Sequence, residues 1–131
     1  MVKFFSVVLV VLILDQLTKY LTNDIHTSII NYTTNTGAGF SILEGQTVLL
    51  IIVSLMVLGL ILYYRKKEPK YEIPLALIFA GALGNVLDRV IFGYVRDFID
   101  LKVWPVFNIA DMSLVVGTIV LVYFSFRTNH E

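Results

Sequence analysis

Long runs without a charged residue constrain this chain more than any other feature of its sequence. Glu44 and Arg65 enclose 20 uncharged residues, 45–64, which is about the length of helix that crosses the hydrocarbon core of a bilayer. Three shorter uncharged runs reach that length only by including polar residues at one end. The sequence therefore predicts four transmembrane helices. Their approximate ranges are 4–21, 45–64, 73–92 and 108–126.

The composition excludes soluble and nucleic-acid-binding classes of protein. Of the 131 residues, 57% are hydrophobic and 15% are charged, and the mean hydropathy is +0.81, whereas soluble domains carry about 25% charged residues. Ten basic and ten acidic residues give a net charge of zero, so no basic surface is expected for a nucleic acid. The absence of cysteine excludes disulfides and thiolate metal sites. We expect one integral membrane domain over residues 1–131.

The basic residues predict the orientation of the chain in its membrane. Lys3, the segment 65–70 and Arg127 hold six of the ten basic residues, and the positive-inside rule makes such segments cytoplasmic. Both termini would then be cytoplasmic, and segments 22–44 and 93–107 would lie outside. Lys3 and the run after it resemble a secretory signal peptide, but no cleavage site of small residues follows, so we expect a retained helix.

Several polar residues at the outer helix ends have a structural interpretation. Asp15 and Lys19 lie four residues apart on one helix face. There, a neutralised pair would lower the free-energy cost of burying the helix end. On the third helix, four residues at i, i+3, i+4 and i+7 share a face that favours close helix contact and hydrogen bonding. These are Gly81, Gly84, Asn85 and Asp88.

The first outer segment contains the clearest strand signal. Residues 29–34 are rich in β-forming side chains, and residues 35–39 include two glycines typical of a turn. The simplest interpretation is a surface hairpin that links two helices. An extended segment beside a polar site could also pair with an extended peptide by strand addition.

Several carboxylates, with Asp100 among them, converge around the second outer segment and indicate a specific chemistry. Asp97 lies in the connection after the third helix, and Asp111 lies in the first turn of the fourth. Asp111 alone is explained as a partner of the helix dipole. Two adjacent carboxyl groups, however, share one proton, so that one can act as general base on water and the other as general acid. Such a pair hydrolyses peptides without a metal or a covalent intermediate.

Other chemistries find less support in the sequence. The histidines, His26 and His130, are predicted on opposite sides of the membrane, and neither an H-E-x-x-H motif nor a G-x-S-x-G motif occurs. A carboxylate-bound Ca²⁺ or Mg²⁺ matches no spacing rule, so we expect no metal and no cofactor. Two rival classes remain, a small proton-coupled exporter, which needs a carboxylate near the bilayer midplane, and a non-catalytic membrane scaffold.

Five segments, in this order, resemble the motifs of the lipoprotein signal peptidases, the signal peptidase II family of bacterial membrane aspartyl proteases. The segments are 15–19, 35–41, 81–89, 95–100 and 107–111. The chain departs from the usual family residues at four positions, none of which removes a functional polar group. These are Gly39, Ala80, Arg96 and Leu101, where alanine, glycine, valine and phenylalanine are frequent.

The resemblance implies a role for each matching polar residue. Asp97 and Asp111 would be the catalytic pair, and Asp88 would be structural and paired with a neighbouring base. A further set would shape the site or bind the substrate backbone. This set is Asp15, Lys19, Asn35, Gly81, Asn85, Arg89 and Asn108.

The resemblance also implies a fold, a substrate and a location. The fold is an all-α membrane protein of four transmembrane helices, with a small extracytoplasmic β-cradle and a short extracytoplasmic helix. The substrate is a prolipoprotein whose cysteine carries diacylglycerol, cut on the amino side of that cysteine. The enzyme would be a monomer of the bacterial inner membrane, in contact with membrane lipid, with its active site at the outer leaflet, and the cyclic peptide globomycin would block it.

Overall fold

The computed structural model describes residues 2–39 and 42–128. It contains four long helices, α1 (Val2–Leu21), α2 (Thr47–Lys67), α3 (Glu72–Phe92) and α4 (Ile109–Thr128). All four are long and apolar enough to cross a membrane. The prediction of four transmembrane helices is confirmed, and the chain is a multi-pass membrane protein.

Helix α3 lies at the centre of the bundle. It packs against α1, α2 and α4, and 56% of its span is buried, compared with 17–22% of the other three. Small residues allow this close packing. A Cβ atom at Gly84 would lie 2.6 Å from a carboxylate oxygen of Asp15 on α1, and one at Gly117 of α4 would lie 2.8 Å from the carbonyl of Pro74. The exposed faces of the outer helices are rich in leucine, valine and isoleucine, as a lipid-facing surface requires.

The two ends of the bundle differ in character. One end carries the helix termini at Leu21, Thr47, Phe92 and Ile109 and is called the sheet end here. The opposite end carries the basic C-terminal turn of α2 and the 3₁₀ turn Pro69–Tyr71 and is called the basic end. An apolar core lies toward the basic end, where Phe4 is fully buried and contacts the ring of Phe79 edge-on.

A two-stranded antiparallel sheet covers the sheet end. Strand β1 (Ile30–Asn35) pairs with β2 (Val95–Ile99), with Thr33 opposite Asp97 and an irregular register between Ile30 and Thr33. The predicted small β-element is therefore confirmed. The interpretation of 29–39 as a hairpin by itself was wrong in one respect, because the main partner of β1 comes from the connection between α3 and α4.

The short helix implied on this side is not seen in the described parts of 22–46 and 93–108. Residues 42–45 form turns instead, in which Leu43 and Gly45 have φ angles of 54° and 77°. Left-handed backbone at these positions interrupts a right-handed helix. Phe40 and Ser41 of the second motif lie outside the described residues.

Candidate active site

A cavity of about 380 Å³ opens at the sheet end between α2, α3, α4 and the sheet. It brings together Asp97 from β2 and Asp111 from the first turn of α4, two residues that lie 14 positions apart in the chain. Three further predicted site residues also line it, and much of the remaining wall is apolar. Those three are Asn35, Asn85 and Arg89, and the apolar wall includes Leu50, Val53, Val57, Leu114 and Val115.

The start of α4 is capped by three side chains, and this capping orients Asp111. The Asp111 backbone N–H donates to Asn108 Oδ1 (2.8 Å), and the Asn108 N–H donates back to Asp111 Oδ2 (3.1 Å). This reciprocal arrangement has the form of a capping box. The Ala110 N–H, also in the first turn of α4, donates to Asp15 Oδ1 on α1 (2.9 Å). The first turn of α4 is thereby fixed to α1.

Two amides tie the carboxylates of the cavity together. Asn108 Nδ2 donates to Asp97 Oδ1 (2.8 Å) and to Asn85 Oδ1 (3.1 Å), and Asn85 Nδ2 donates to Asp111 Oδ1 (2.8 Å). Both oxygens of Asp111 therefore accept a hydrogen bond. We call Asn85, Asp97, Asn108 and Asp111 the dyad cluster.

Burial and like charge perturb the acidity of Asp97. Its side chain is 3% exposed. Burial, and to a smaller extent the charge of Asp111, raises the pKa of Asp97 to about 7. Hydrogen bonds from Asn35 and Asn108 oppose this rise. Asp100, three residues later and near the surface, behaves in the opposite way. Hydrogen bonds from Asn31 and Lys102 lower its pKa to about 2.

A second set of polar side chains lies beside the dyad cluster, and we call it the ionic cluster. Its members are Asp15, Gln16, Lys19, Asp88 and Arg96. Lys19 Nζ lies 2.8 Å from Asp15 Oδ2 and 3.3 Å from Asp88 Oδ2, and all three side chains are fully buried. The expected Asp15–Lys19 pair thus exists and extends to a third residue.

Arg96 joins the ionic cluster to strand β2. Its Nη2 and Nε donate to the two carboxylate oxygens of Asp88 (2.9 and 3.1 Å), and its backbone N–H donates to Asp88 Oδ2 (2.9 Å). Gln16 Oε1 accepts a further bond from Arg96 Nη2 (2.8 Å). The Arg96 carbonyl accepts from Asn108 Nδ2 (3.2 Å). The backbone N–H and the backbone carbonyl of Arg96, the residue before Asp97, are therefore both hydrogen-bonded.

Besides the bond between Asn108 and the Arg96 carbonyl, a second contact joins the two clusters. Lys19 Nζ donates to Asn85 Oδ1 (3.3 Å), and the charge of Lys19 lowers the pKa of Asp97. The sequence reasoning gave no role to Gln16 or Arg96. Gln16 lies inside the 15–19 motif, and Arg96 directly precedes Asp97, so their places in the sequence were the available signals.

The remaining predicted site residues occupy different environments. Arg89 lines the cavity and donates from Nη2 to the Gly37 carbonyl (3.3 Å), while its buried Nε has no hydrogen-bond partner among the described residues. Asn35 Oδ1 accepts from the Gly37 N–H (2.8 Å). Gly81 does not line the cavity and lies against the backbone of Ala110. It permits the α3–α4 contact.

His26 stands apart from the dyad cluster. His26 is exposed and its Nδ1 lies 3.0 Å from Asn31 Oδ1, and His130 lies outside the described residues. Within 2–39 and 42–128, no group of three or more His, Cys, Asp or Glu side chains is arranged to hold a metal ion. The polar groups that line the cavity are two carboxyl groups, the amides of Asn35 and Asn85, the Arg89 guanidinium and the side chains of Ser54 and Trp104.

Comparison with known proteins gives one consistent result. The family model for signal peptidase (SPase) II matches residues 7–127. The lipoprotein signal peptidase of Halothermothrix orenii is 40% identical, with 92% of each chain covered. That of Staphylococcus aureus is 36% identical over 86% of this chain and 80% of the relative.

Solved structures agree with the sequence relatives. A bacterial membrane enzyme structure obtained by the in meso method at 2.3 Å resolution superposes with a TM-score of 0.90 at 30% identity, covering 98% of this chain and 90% of that chain. A second, at 1.9 Å resolution, gives 0.81 at 31% identity, covering 94% and 92%. The fold, the order of the motifs and the length of the match lead to the same assignment. The chain belongs to the signal peptidase II family.

Proposed function

We propose that this chain is an aspartic endopeptidase that removes signal peptides from diacylglyceryl-modified prolipoproteins, cutting on the amino side of the lipidated cysteine. The observation that carries this proposal is the dyad cluster, in which Asp97 and Asp111 face one cavity and are tied together by Asn85 and Asn108. Family membership supports the substrate class, since the relatives are named lipoprotein signal peptidases.

The surroundings of the two carboxyl groups suggest a division of roles. Asp111 accepts from an amide and from a backbone N–H at the start of α4, and a helix N-terminus favours negative charge. Asp97 lies on strand β2 and accepts its hydrogen bonds from side-chain amides, and its pKa of about 7 keeps it largely protonated in weak acid. Asp111 is therefore the ionised general base, and Asp97 holds the proton that the pair shares.

This assignment gives a balanced hydrolysis. Asp111 takes a proton from water as the water oxygen attacks the scissile carbonyl carbon, and Asp97 gives its proton to the carbonyl oxygen. The tetrahedral intermediate then breaks its C–N bond. The proton on Asp111 passes to the leaving amine, and a hydroxyl proton of the intermediate returns to Asp97. The pair ends in its starting state.

Arg89 and Asn35 are placed to bind the substrate backbone. The buried Arg89 Nε has no acceptor among the described residues, and an unsatisfied buried donor is costly. A carbonyl of an extended substrate segment would satisfy it. Asn35 lies across the sheet from Val95, so its amide borders the same part of the cavity.

The apolar wall of the cavity fits a substrate that arrives within the membrane. Leu50, Val53 and Val57 of α2 and Leu114 of α4 continue the wall along the helices, away from the carboxylates. A signal peptide helix in lipid would pack on such a surface with its cleavage site at the sheet end. By the positive-inside rule the sheet end faces outward and both termini are cytoplasmic. The enzyme acts as a monomer in the bacterial inner membrane and binds globomycin at this cavity.

The test is cleavage of a synthetic diacylglyceryl-modified precursor by the purified protein in detergent, with products identified by mass spectrometry. Asp97→Asn and Asp111→Asn should each lower the rate of precursor cleavage by at least about 10²–10⁴-fold. Each variant should still bind substrate and should unfold at the same midpoint as the parent. Asp100→Asn is the matched control and should cleave at the parental rate, because Asp100 does not line the cavity. Cleavage by either dyad variant at the parental rate would refute the proposal.

A further inference from the structure

The basic end contains a second cavity, unrelated to the dyad cluster. It has a volume of about 250 Å³ and is lined by Arg65, Lys66, Pro69 and Glu72, where the end of α2 meets the start of α3. Nothing in the proposed peptidase activity uses these residues. We call this cavity the basic pocket.

The two cations of the basic pocket lack anionic partners. Arg65 Nε is buried without a hydrogen-bond partner, and neither Arg65 nor Lys66 forms an ion pair within the described residues. Glu72, on the same wall, accepts instead from the Phe4 N–H of α1 (3.3 Å). An unpaired, partly buried guanidinium is an unfavourable arrangement unless something else satisfies it.

The neighbouring cations are engaged differently. Lys70 Nζ lies 3.6 Å from the carboxylate of Glu68, and Lys67 lies 4.4 Å from the centre of the Tyr63 ring. Neither lysine lines the basic pocket. Among the described residues, an acidic partner is therefore seen for Lys70 alone of the four cations in segment 65–70, and Arg65 and Lys66 are the two that line the basic pocket.

Packing fixes the Arg65 side chain. Its guanidinium carbon lies 4.5 Å from the centre of the Phe4 ring and 4.8 Å from that of Phe5, so the planar group is held by aromatic contacts. A fixed guanidinium with free N–H groups suits a ligand that is anionic and offers several acceptor oxygens. Phosphate has this chemistry.

We propose that the basic pocket binds the phosphate of an anionic phospholipid headgroup. The pocket lies where a transmembrane helix ends in consecutive basic residues, which is the depth at which headgroups meet a membrane protein. The lipid phosphate accepts from Arg65 and Lys66, and its acyl chains lie along the exposed apolar face of α2. Free phosphate offers the same acceptor oxygens, and the experiment separates the two sources.

The test compares two double variants in lipid nanodiscs. Arg65→Gln/Lys66→Gln removes two charges from the pocket, and Lys67→Gln/Lys70→Gln removes the same charge from the same segment outside it. Each is reconstituted in phosphatidylcholine with or without phosphatidylglycerol. The retained phosphatidylglycerol is counted by native mass spectrometry, and the unfolding midpoint is recorded. The pocket variant should retain phosphatidylglycerol at least about tenfold more weakly than the parent, since two charge-assisted contacts are lost.

The control variant should retain phosphatidylglycerol as the parent does. Equal losses in both double variants would overturn the proposal, because they would indicate diffuse attraction rather than a site. Stabilisation of the parent by inorganic phosphate alone in phosphatidylcholine discs would overturn the assignment to lipid. If the double pocket variant does not fold, Lys66→Gln alone should still weaken retention, and unchanged retention would then contradict the site.

Discussion

The ionic cluster and the dyad cluster are neighbours in the bundle and are built on opposite electrostatic plans. In the ionic cluster, the two carboxylates of Asp15 and Asp88 face the cations of Lys19 and Arg96, at distances of 2.8–3.3 Å. In the dyad cluster, two carboxyl groups each accept from a different asparagine amide and line an open cavity. One cluster is compensated within the protein, and the other is not.

The difference teaches how one end of a small bundle can be both stable and reactive. Complementary charges with filled hydrogen bonds hold α1, α3 and β2 together, and they leave no group ready for exchange with a substrate. Like charges in a buried cavity shift a pKa toward neutrality instead, which suits proton transfer. Among the described residues, the two clusters touch where Lys19 meets Asn85 and where Asn108 meets the Arg96 carbonyl. Substitutions in each should therefore fail in different ways.

The largest effect on stability is expected in the ionic cluster. Asp88→Leu leaves the fully buried Lys19 and the partly buried Arg96 with one carboxylate between them, and the loss of one partner from a buried ion pair costs about 3–5 kcal/mol. Chemical unfolding in detergent measures the change. The double variant Asp88→Leu/Arg96→Leu should recover part of the loss, since no unpaired guanidinium remains. A double variant less stable than Asp88→Leu alone would contradict the claim that the charges of the ionic cluster compensate one another.

A smaller effect should follow from crowding the ionic cluster without changing its charge. In Gly84→Ala the new Cβ would lie 2.6 Å from Asp15 Oδ2 and 3.1 Å from the Ala110 Cβ, so α1 and α4 must move. Overpacking of this kind costs about 1–3 kcal/mol. Gly59→Ala on α2 is the matched control, because its Cβ would meet nothing within 4 Å. Equal unfolding free energies for the two variants would show that this contact is not tight.

The smallest effect concerns the pH dependence of the dyad cluster. Because the pKa of Asp97 is raised to about 7, the protonated form needed as general acid is lost as the pH rises above that value. The kcat/KM for a diacylglyceryl precursor should therefore fall about tenfold per pH unit above pH 7. Lys102→Gln, which changes a charge outside the cavity, should keep the same profile. A rate constant that stays level up to pH 9 would contradict the assignment of Asp97.

The helices could be predicted from the sequence, and the pairing of side chains between them could not. Uncharged runs predict transmembrane helices because the backbone in lipid must satisfy its own hydrogen bonds, which leaves few alternatives to a helix. The partner of Asp88 is a different matter. The resemblance implied a neighbouring base without naming it. Consecutive helical residues point in different directions, so the adjacent Arg89 contacts Gly37, and Arg96 reaches Asp88 instead. The β1–β2 pairing joins residues 60 or more positions apart, which no local pattern reveals.

The dyad cluster was easier to anticipate in type than in detail. Several acids near a small connection indicated shared-proton chemistry, and the resemblance selected Asp97 and Asp111 among them. The amides that orient them depend on the reciprocal cap between Asn108 and Asp111 and on the crossing of α3 and α4. The residue Asn108 is visible as a helix cap in the sequence. Its contact with Asp97 requires the folded connection.

The most direct test of this account is an infrared titration of the carboxyl C=O stretch in the purified protein. We predict one carboxyl group that is protonated in weak acid, titrates at about pH 7, is missing from Asp97→Asn and is unchanged in Asp100→Asn. A protonated carboxyl signal that persists in Asp97→Asn, or a parent protein without one, would contradict the claim that Asp97 and Asp111 share a proton held by Asp97.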